Sequence, residues 1–175
     1  MKASFIFANL FMVIIFTFLF AGGNKMILDV GSKAPDFTVL SSNGDTVRLA
    51  DFAGKNNVVL IFYPGDETPG CTKQLCAVRD DFASFEAKGI KVFGVNPAGT
   101  DSHNKFIKNH GFQFSLLIDE GQKVAKLYGC DNQPSVKRTV YAIDKKGLIV
   151  FAKSGMPDDS EILQAITGNG STGSP

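Results

Sequence analysis

Apolar and polar positions along the chain alternate between two periods, and this alternation predicts an α/β domain. Continuous apolar runs predict buried strands at 58–63, 90–95, 114–118, 139–143 and 148–152. Apolar side chains at helical spacing predict helices at 71–88, 101–110, 124–128 and 158–166. Strands that alternate with helices, followed by a hairpin and a last helix, indicate a central mixed β-sheet flanked by helices.

A shorter pattern precedes the first buried strand. Residues 36–40 alternate in polarity, which predicts an edge strand, and 46–49 form a returning strand. Asn43 and Gly44 between them are typical of a tight hairpin turn. We therefore expect an N-terminal β-hairpin in front of the main sheet.

The loop between the strand at 58–63 and the next helix carries candidate catalytic and ligand-binding residues. Pro64 lacks a backbone donor and ends the strand. Thr68 offers a hydroxyl that both donates and accepts, and Pro69 suits the first helical position. Gly70 lets the backbone approach a small ligand closely, and Cys71 follows at the helix start.

A cysteine in the first turn of a helix faces unpaired N–H groups and the positive end of the helix dipole. Both stabilise a thiolate, so the reactive fraction of Cys71 should be raised. The alternative is a buried structural cysteine, because free cysteine is among the most buried residue types.

The position of Cys76 helps to decide whether Cys71 is reactive or structural. Five residues of an intact helix rise ~7.5 Å and turn ~500°, which places the Cα atoms of Cys71 and Cys76 about 8–9 Å apart, beyond the ~7 Å limit for a disulfide. The two thiols can bond only if the first turns of the helix unwind, which is typical of a cycling redox pair. A static disulfide with a later helix start, and half of a metal site, remain alternatives. His103 and His110 lie seven residues apart without a zinc-like spacing, and we expect both to be surface histidines.

The spacing of Pro64, Thr68 and Cys71 resembles the active-site signature of the peroxiredoxins. Cys76, in a Cys-x4-Cys spacing, is similar to the Q-type or bacterioferritin-comigratory-protein branch, and the run DETPGCTKQLCAVRDDF resembles its plant and cyanobacterial members. The resemblance extends over about 31–166 and implies a thioredoxin-like fold.

The resemblance also implies roles for individual residues. Cys71 would be the peroxidatic cysteine and Cys76 the resolving cysteine, and Arg138 matches the family arginine that fixes the thiolate and polarises the peroxide. Many members have lysine at the position of Gly65, and many bacterial members have glutamate at that of Gln74, so this chain lacks two of the usual charges.

The activity so implied is reduction of hydrogen peroxide and organic hydroperoxides, with Thr68 and loop N–H groups holding the peroxide. A Cys71–Cys76 disulfide would be recycled by a thioredoxin-like donor, with no metal, haem or flavin, in a protein that we expect to be a monomer. A protein thiol–disulfide oxidoreductase is a rival, although the usual Cys-x-x-Cys is absent. A second rival function is that of a holdase or a peroxide sensor. Cys130 could be an alternative thiol partner, but we expect it to be inert, because Cys76 already fills the resolving role.

Composition gives no support to several other classes of function. The 175 residues suffice for one domain with a proper core, and a net charge of +1 gives no indication of a nucleic-acid partner. Three cysteines are too few for a disulfide scaffold. No phosphate-binding loop or dinucleotide fingerprint is present in the sequence.

The N-terminal segment differs from the rest of the chain. Residues 5–21 are apolar except for Asn9 and Thr17, and Lys2 supplies a minimal positive flank. We therefore expect 1–23 to be a signal peptide or membrane anchor, 24–33 a linker, 34–168 the thioredoxin-like domain and 169–175 a flexible tail. With Lys2 inside, the domain would lie on the non-cytoplasmic side, in a periplasm or organelle lumen. The cytoplasmic face of a membrane is the alternative.

Overall fold

The structure is a computed structural model that describes residues 27–168. In chain order its strands are β1 (Thr38–Leu40), β2 (Thr46–Arg48), β3 (Asn57–Phe62), β4 (Ile90–Asn96), β5 (Ser115–Ile118), β6 (Asp131–Asn132), β7 (Ser135–Val136), β8 (Thr139–Ile143) and β9 (Ile149–Ser154). Its α-helices are α1 (Pro69–Asp80), α2 (Phe82–Ala87), α3 (Thr100–His110), α4 (Lys123–Leu127) and α5 (Asp159–Gly168). The segment 1–23 and the tail 169–175 lie outside the described residues. Within 27–168, no helix combines the length and apolar character that a membrane span requires.

The central sheet has five strands in the order β5-β4-β3-β8-β9. Strand β3 pairs in parallel with β4, and β4 with β5, whereas β8 is antiparallel to both β3 and β9. The predicted central mixed sheet is therefore confirmed, and β3 is its middle strand.

Both faces of the sheet are covered, which explains why β3 is apolar throughout rather than alternating. Val59 and Ile61 belong to a core that includes buried side chains of α1, α2, α3 and α5. Leu60 and Phe62 belong to the opposite core, which includes those of α4. The loop that follows β3 thus starts from a strand fixed on both sides.

The N-terminal hairpin is present, but it forms a two-stranded sheet of its own rather than an edge of the central sheet. A bridge between Ser41 and Leu117 connects it to β5, and so does a hydrogen bond from the N–H of Ser42 to the carbonyl of Leu116 at 2.8 Å. The segment expected to be a linker is bound to the domain over its described residues, because the N–H of Gly31 donates to the carbonyl of Ile149 at 2.8 Å.

The helix expected over 71–88 is two helices. Asp81 ends α1 with φ −93° and ψ 5°, and α2 starts after it. Ala77, expected to face the core, is exposed, whereas Leu75 and Val78 are buried. The sheet-facing side of α1 therefore runs through Cys71, Leu75 and Val78, at the four- and three-residue steps of one helix face.

Helix α3 begins earlier than the sequence indicates. Gly99 is its N-cap, not Asp101 or Ser102. Its end is as predicted, because Gly111 follows His110 in the left-handed conformation, with φ 67°.

Candidate active site

The loop from β3 to α1 places Cys71 at the end of the middle strand. Thr68 is the N-cap of α1, with extended backbone angles, and Pro69 is the first helical residue, as its fixed φ favours. Cys71 lies in the first turn, and its side chain is buried. The helix start predicted from the sequence is confirmed, so the thiol lies at the positive end of α1.

Arg138 reaches this thiol from a neighbouring strand. It immediately precedes β8, whose first residue, Thr139, pairs with Phe62 at the end of β3. Arg138 is therefore at the same end of the sheet as the Cys71 loop. Its Nη2 donates to Cys71 Sγ at 3.1 Å. A guanidinium at this distance stabilises a thiolate directly.

Two neighbours orient the guanidinium. Arg138 Nη1 donates to Oε1 of Gln74, which is buried one turn beyond Cys71. Gly70 lies beside the guanidinium, since a Cβ atom at this position would be 3.4 Å from Arg138 Nη2. Gln74, noted in the sequence only as a departure from bacterial relatives, is thus a partner of Arg138.

Thr68 and Pro64 lie on the exposed side of the same loop. The Thr68 hydroxyl donates to the carbonyl of Gly65 at 3.2 Å, which leaves its oxygen able to accept a hydrogen bond. The carbonyl of Pro64 accepts from Ser135 Oγ at 3.1 Å. These two hydrogen bonds stabilise the conformation of the loop that leads to Cys71.

Cys76 lies on α1, partly exposed, and all three cysteines are free thiols. Cys71 and Cys76 belong to one continuous helix. A bond between them therefore requires α1 to unwind at its start.

Cys130 is separate from this site. It is buried, and its Sγ donates to the carbonyl of Tyr128 at 3.4 Å. Burial raises the pKa of Cys130 to about 11, which disfavours its thiolate. The segment after it, expected to be a loop, forms the short hairpin of β6 and β7.

The expectation of two surface histidines is wrong for His103, whose side chain is fully buried. Its Nδ1 lies 2.9 Å from Oδ2 of Asp66, a loop residue that the sequence did not single out. Asp66 also accepts from the hydroxyls of Tyr63 and Ser102, at 2.7 and 2.6 Å, and from Asn96 Nδ2 at 2.8 Å. Four donors thus converge on one carboxylate in the active-site loop.

The charge of Asp66 follows from these partners. Burial alone would raise the pKa of Asp66, but the bonds from His103, Ser102 and Tyr63 lower it to about 2. Burial and the Asp66 charge raise the pKa of Tyr63 well above its usual range, so the phenol keeps its proton. Because a carboxylate only accepts, His103 Nδ1 carries a hydrogen, and its Nε2 has no partner among the described residues.

His110 is partly exposed and also bonded. Its Nε2 lies 3.0 Å from Oε2 of Glu67, and Asn109 Nδ2 donates to the other Glu67 oxygen at 2.7 Å. Its Nδ1 lies 4.0 Å from Cys76 Sγ. The two histidines thus bind neighbouring acids of the Cys71 loop, and together they attach that loop to α3. In the sequence, the adjacent acids Asp66 and Glu67 were the available sign that the loop binds polar partners. The local pattern does not predict that those partners lie on α3.

The chain is thus a thioredoxin-like protein with a buried thiol at the start of the helix that follows the middle strand of its sheet. Residues 30–152 match the model of the AhpC/TSA family. Peroxiredoxin Q, chloroplastic, of Triticum aestivum is 44% identical over 124 residues, which cover 69% of this chain and 57% of the relative. Peroxiredoxin Bcp of Bacillus subtilis is 35% identical over 133 residues, which cover 71% of this chain and 84% of the relative.

The crystal structure of peroxidoxin BcpB from Mycobacterium tuberculosis superposes with a TM-score of 0.76 at 27% identity, and covers 81% of this chain and 97% of that one. The chain belongs to the AhpC/TSA family and, within it, to the Q-type peroxiredoxins. It spans less than two thirds of the length of the chloroplastic relatives.

Proposed function

We propose that this chain is a thiol-dependent peroxidase that reduces hydrogen peroxide and organic hydroperoxides through Cys71. The observation that carries the proposal is the Arg138 guanidinium, 3.1 Å from the Cys71 sulfur, at the positive end of α1. Both groups favour the thiolate, which is the nucleophile in this chemistry. The relatives named peroxiredoxin support the same assignment.

In the first step, the Cys71 thiolate attacks one peroxide oxygen and the O–O bond breaks. The electron pair leaves with the other oxygen, which takes a proton and departs as water or an alcohol. Cys71 is oxidised to a sulfenic acid. Arg138 stabilises the charge that develops on the departing oxygen, while Thr68 accepts a hydrogen bond from the peroxide and Pro64 helps to shape the loop around it.

In the second step, the start of α1 unwinds and Cys76 attacks the Cys71 sulfur. The S–O bond breaks, water leaves, and a Cys71–Cys76 disulfide forms. A thioredoxin-like dithiol then reduces this disulfide by exchange. That both thiols lie on an intact α1 supports a disulfide that forms only during turnover.

The proposal is tested with thioredoxin, its reductase and NADPH, using hydrogen peroxide and an organic hydroperoxide in turn. Cys71→Ser should abolish NADPH oxidation, and Cys76→Ser should abolish turnover with thioredoxin but permit one oxidation of Cys71. Cys130→Ala is the matched control and should keep its turnover. Normal turnover by the Cys71→Ser variant would refute the proposal.

We further propose that the domain functions as a monomer in a membrane-bounded compartment, such as an organelle. The apolar stretch at 5–21 and the relatives named chloroplastic support this location. Residues 1–23 would direct export or anchor the chain in the membrane. Protease protection of the full chain in isolated organelles tests the location, and light scattering tests the monomer. Digestion without detergent would contradict the lumenal placement.

A further inference from the structure

Cys76, the second thiol of α1, has a polar neighbour on α3. Cys76 Sγ lies 4.0 Å from Nδ1 of His110, and the other ring nitrogen lies 3.0 Å from Oε2 of Glu67. Because a carboxylate only accepts, it holds the hydrogen on Nε2 and leaves Nδ1 as an acceptor facing the thiol. A thiol, an imidazole and a carboxylate are thus arranged in series.

The His110 ring is held in this orientation. Phe112 stacks on it, with ring centroids 5.7 Å apart and an angle of 19°, and Phe106 meets it edge-on at 5.0 Å. Its backbone is fixed to α1 as well, because Arg79 Nη1 donates to the His110 carbonyl at 2.8 Å. The imidazole therefore has little freedom to turn away from Cys76.

Glu67 is placed for this contact by an unusual backbone. Its φ is 58°, in the left-handed region that residues other than glycine seldom occupy. Hydrogen bonds from His110 and Asn109 hold its carboxylate and lower the pKa of Glu67, so it is ionised at neutral pH. Non-glycine residues in this region are often found at functional sites.

We propose that His110 is the general base that takes the proton from Cys76, and that Glu67 is a positioning residue that sets the tautomer of His110. The inference rests on the proposed function and extends it to the resolving step. The proton of the Cys76 thiol passes to His110 Nδ1. The thiolate then attacks the Cys71 sulfur, the S–O bond breaks, and the departing hydroxide takes a proton to leave as water. The sulfur of Cys76 is oxidised and that of Cys71 is reduced.

The acceleration that a base at His110 can give to the attack by Cys76 has an upper limit. An unassisted thiol is only a few per cent ionised at neutral pH, so a base can accelerate its attack by about 30-fold at most. Among the described residues, the other charged groups beside Cys76, His110 and Glu67 are Arg79 on α1, with its partner Asp80, and Lys105 near Glu67 on α3. The Asp80 carboxylate is bound by the Arg79 guanidinium at 2.7 Å.

The test is stopped-flow oxidation of the reduced full chain, kept in mild detergent, with sulfenic acid trapped at successive times. His110→Gln should slow disulfide formation about 10- to 30-fold at neutral pH, relative to the rate at which the same variant oxidises Cys71. The deficit should vanish at about pH 9.5, where solvent alone ionises a thiol. Glu67→Gln should show a smaller deficit with the same pH dependence. Lys108→Gln, which removes an exposed charge from the same turn of α3, is the matched control.

The outcomes are distinct. Disulfide formation by His110→Gln at the unsubstituted rate would overturn the base assignment, and so would a deficit equal at both pH values, since lost packing does not depend on thiol ionisation. If the unsubstituted chain showed no oxidation of Cys71, the proposed function would fail first, and this inference with it.

Discussion

Replacing Asp66 by asparagine should destabilise the domain in a way that depends on pH. The carboxylate accepts four hydrogen bonds, including that from buried His103. An amide of the same size has one acceptor oxygen and directs an NH2 group at two of those donors. Leaving such donors unpaired in a buried site costs about 2–4 kcal/mol.

The pH dependence gives the sharper test. The folded-state pKa of Asp66 is lowered from 3.8 to about 2. At ~1.4 kcal/mol per pKa unit, its ionisation contributes about 2 kcal/mol of stability, present above about pH 4 and lost as the pH falls towards 2. Asp66→Asn lacks this contribution, so the difference in unfolding free energy should shrink by about that amount over the same interval.

Urea unfolding, followed by fluorescence or circular dichroism at several pH values, measures this difference. Asp101→Asn is a suitable control, because Asp101 is an exposed acid in the first turn of α3. It should change stability by less than about 1 kcal/mol. A difference for Asp66→Asn that stayed constant with pH would show that the network does not depend on the carboxylate charge.

Three further variants test other parts of the structure. Arg138→Met removes the charged donor 3.1 Å from Cys71 and should slow peroxide reduction by about 100-fold in stopped flow; a loss under about threefold would contradict its role. Burial, with nearby acids, raises the pKa of Asp159 to about 6, so stability should fall by about 2 kcal/mol as the pH rises from about 4 to about 6, and Asp159→Asn should abolish that fall in urea unfolding. Gly94→Ala would place a Cβ 2.9 Å from the buried Tyr63 ring and should cost about 1–3 kcal/mol in thermal unfolding; an unchanged melting temperature would show that the core can adjust.

The main elements could be predicted because their signals are local. The apolar run at 58–63 and the helical pattern from Cys71 predict where β3 ends and α1 begins, and the structure places these ends one and two residues earlier, at Phe62 and Pro69. The position of Arg138 beside Cys71 depends instead on the pairing of β8 with β3. It was expected only through the family resemblance, since an arginine before a strand is usually a surface residue.

The contacts of the histidines could not be predicted in the same way. The acids that His103 and His110 contact lie 37 and 43 residues earlier in the chain. Only the packing of α3 against the Cys71 loop brings them together. The expectation that His103 lies at the surface was wrong because it considered only the residues of α3 and not the loop that packs against this helix.

One peroxide should oxidise Cys71 and Cys76 together. To measure this, the reduced chain is mixed with one equivalent of hydrogen peroxide, the remaining thiols are counted, and disulfide-linked peptides are mapped by mass spectrometry. We expect loss of two of the three thiols, with a peptide that joins Cys71 to Cys76 and with Cys130 unmodified. Thiol loss that persisted in Cys71→Ser, or a disulfide that involved Cys130, would contradict this pairing.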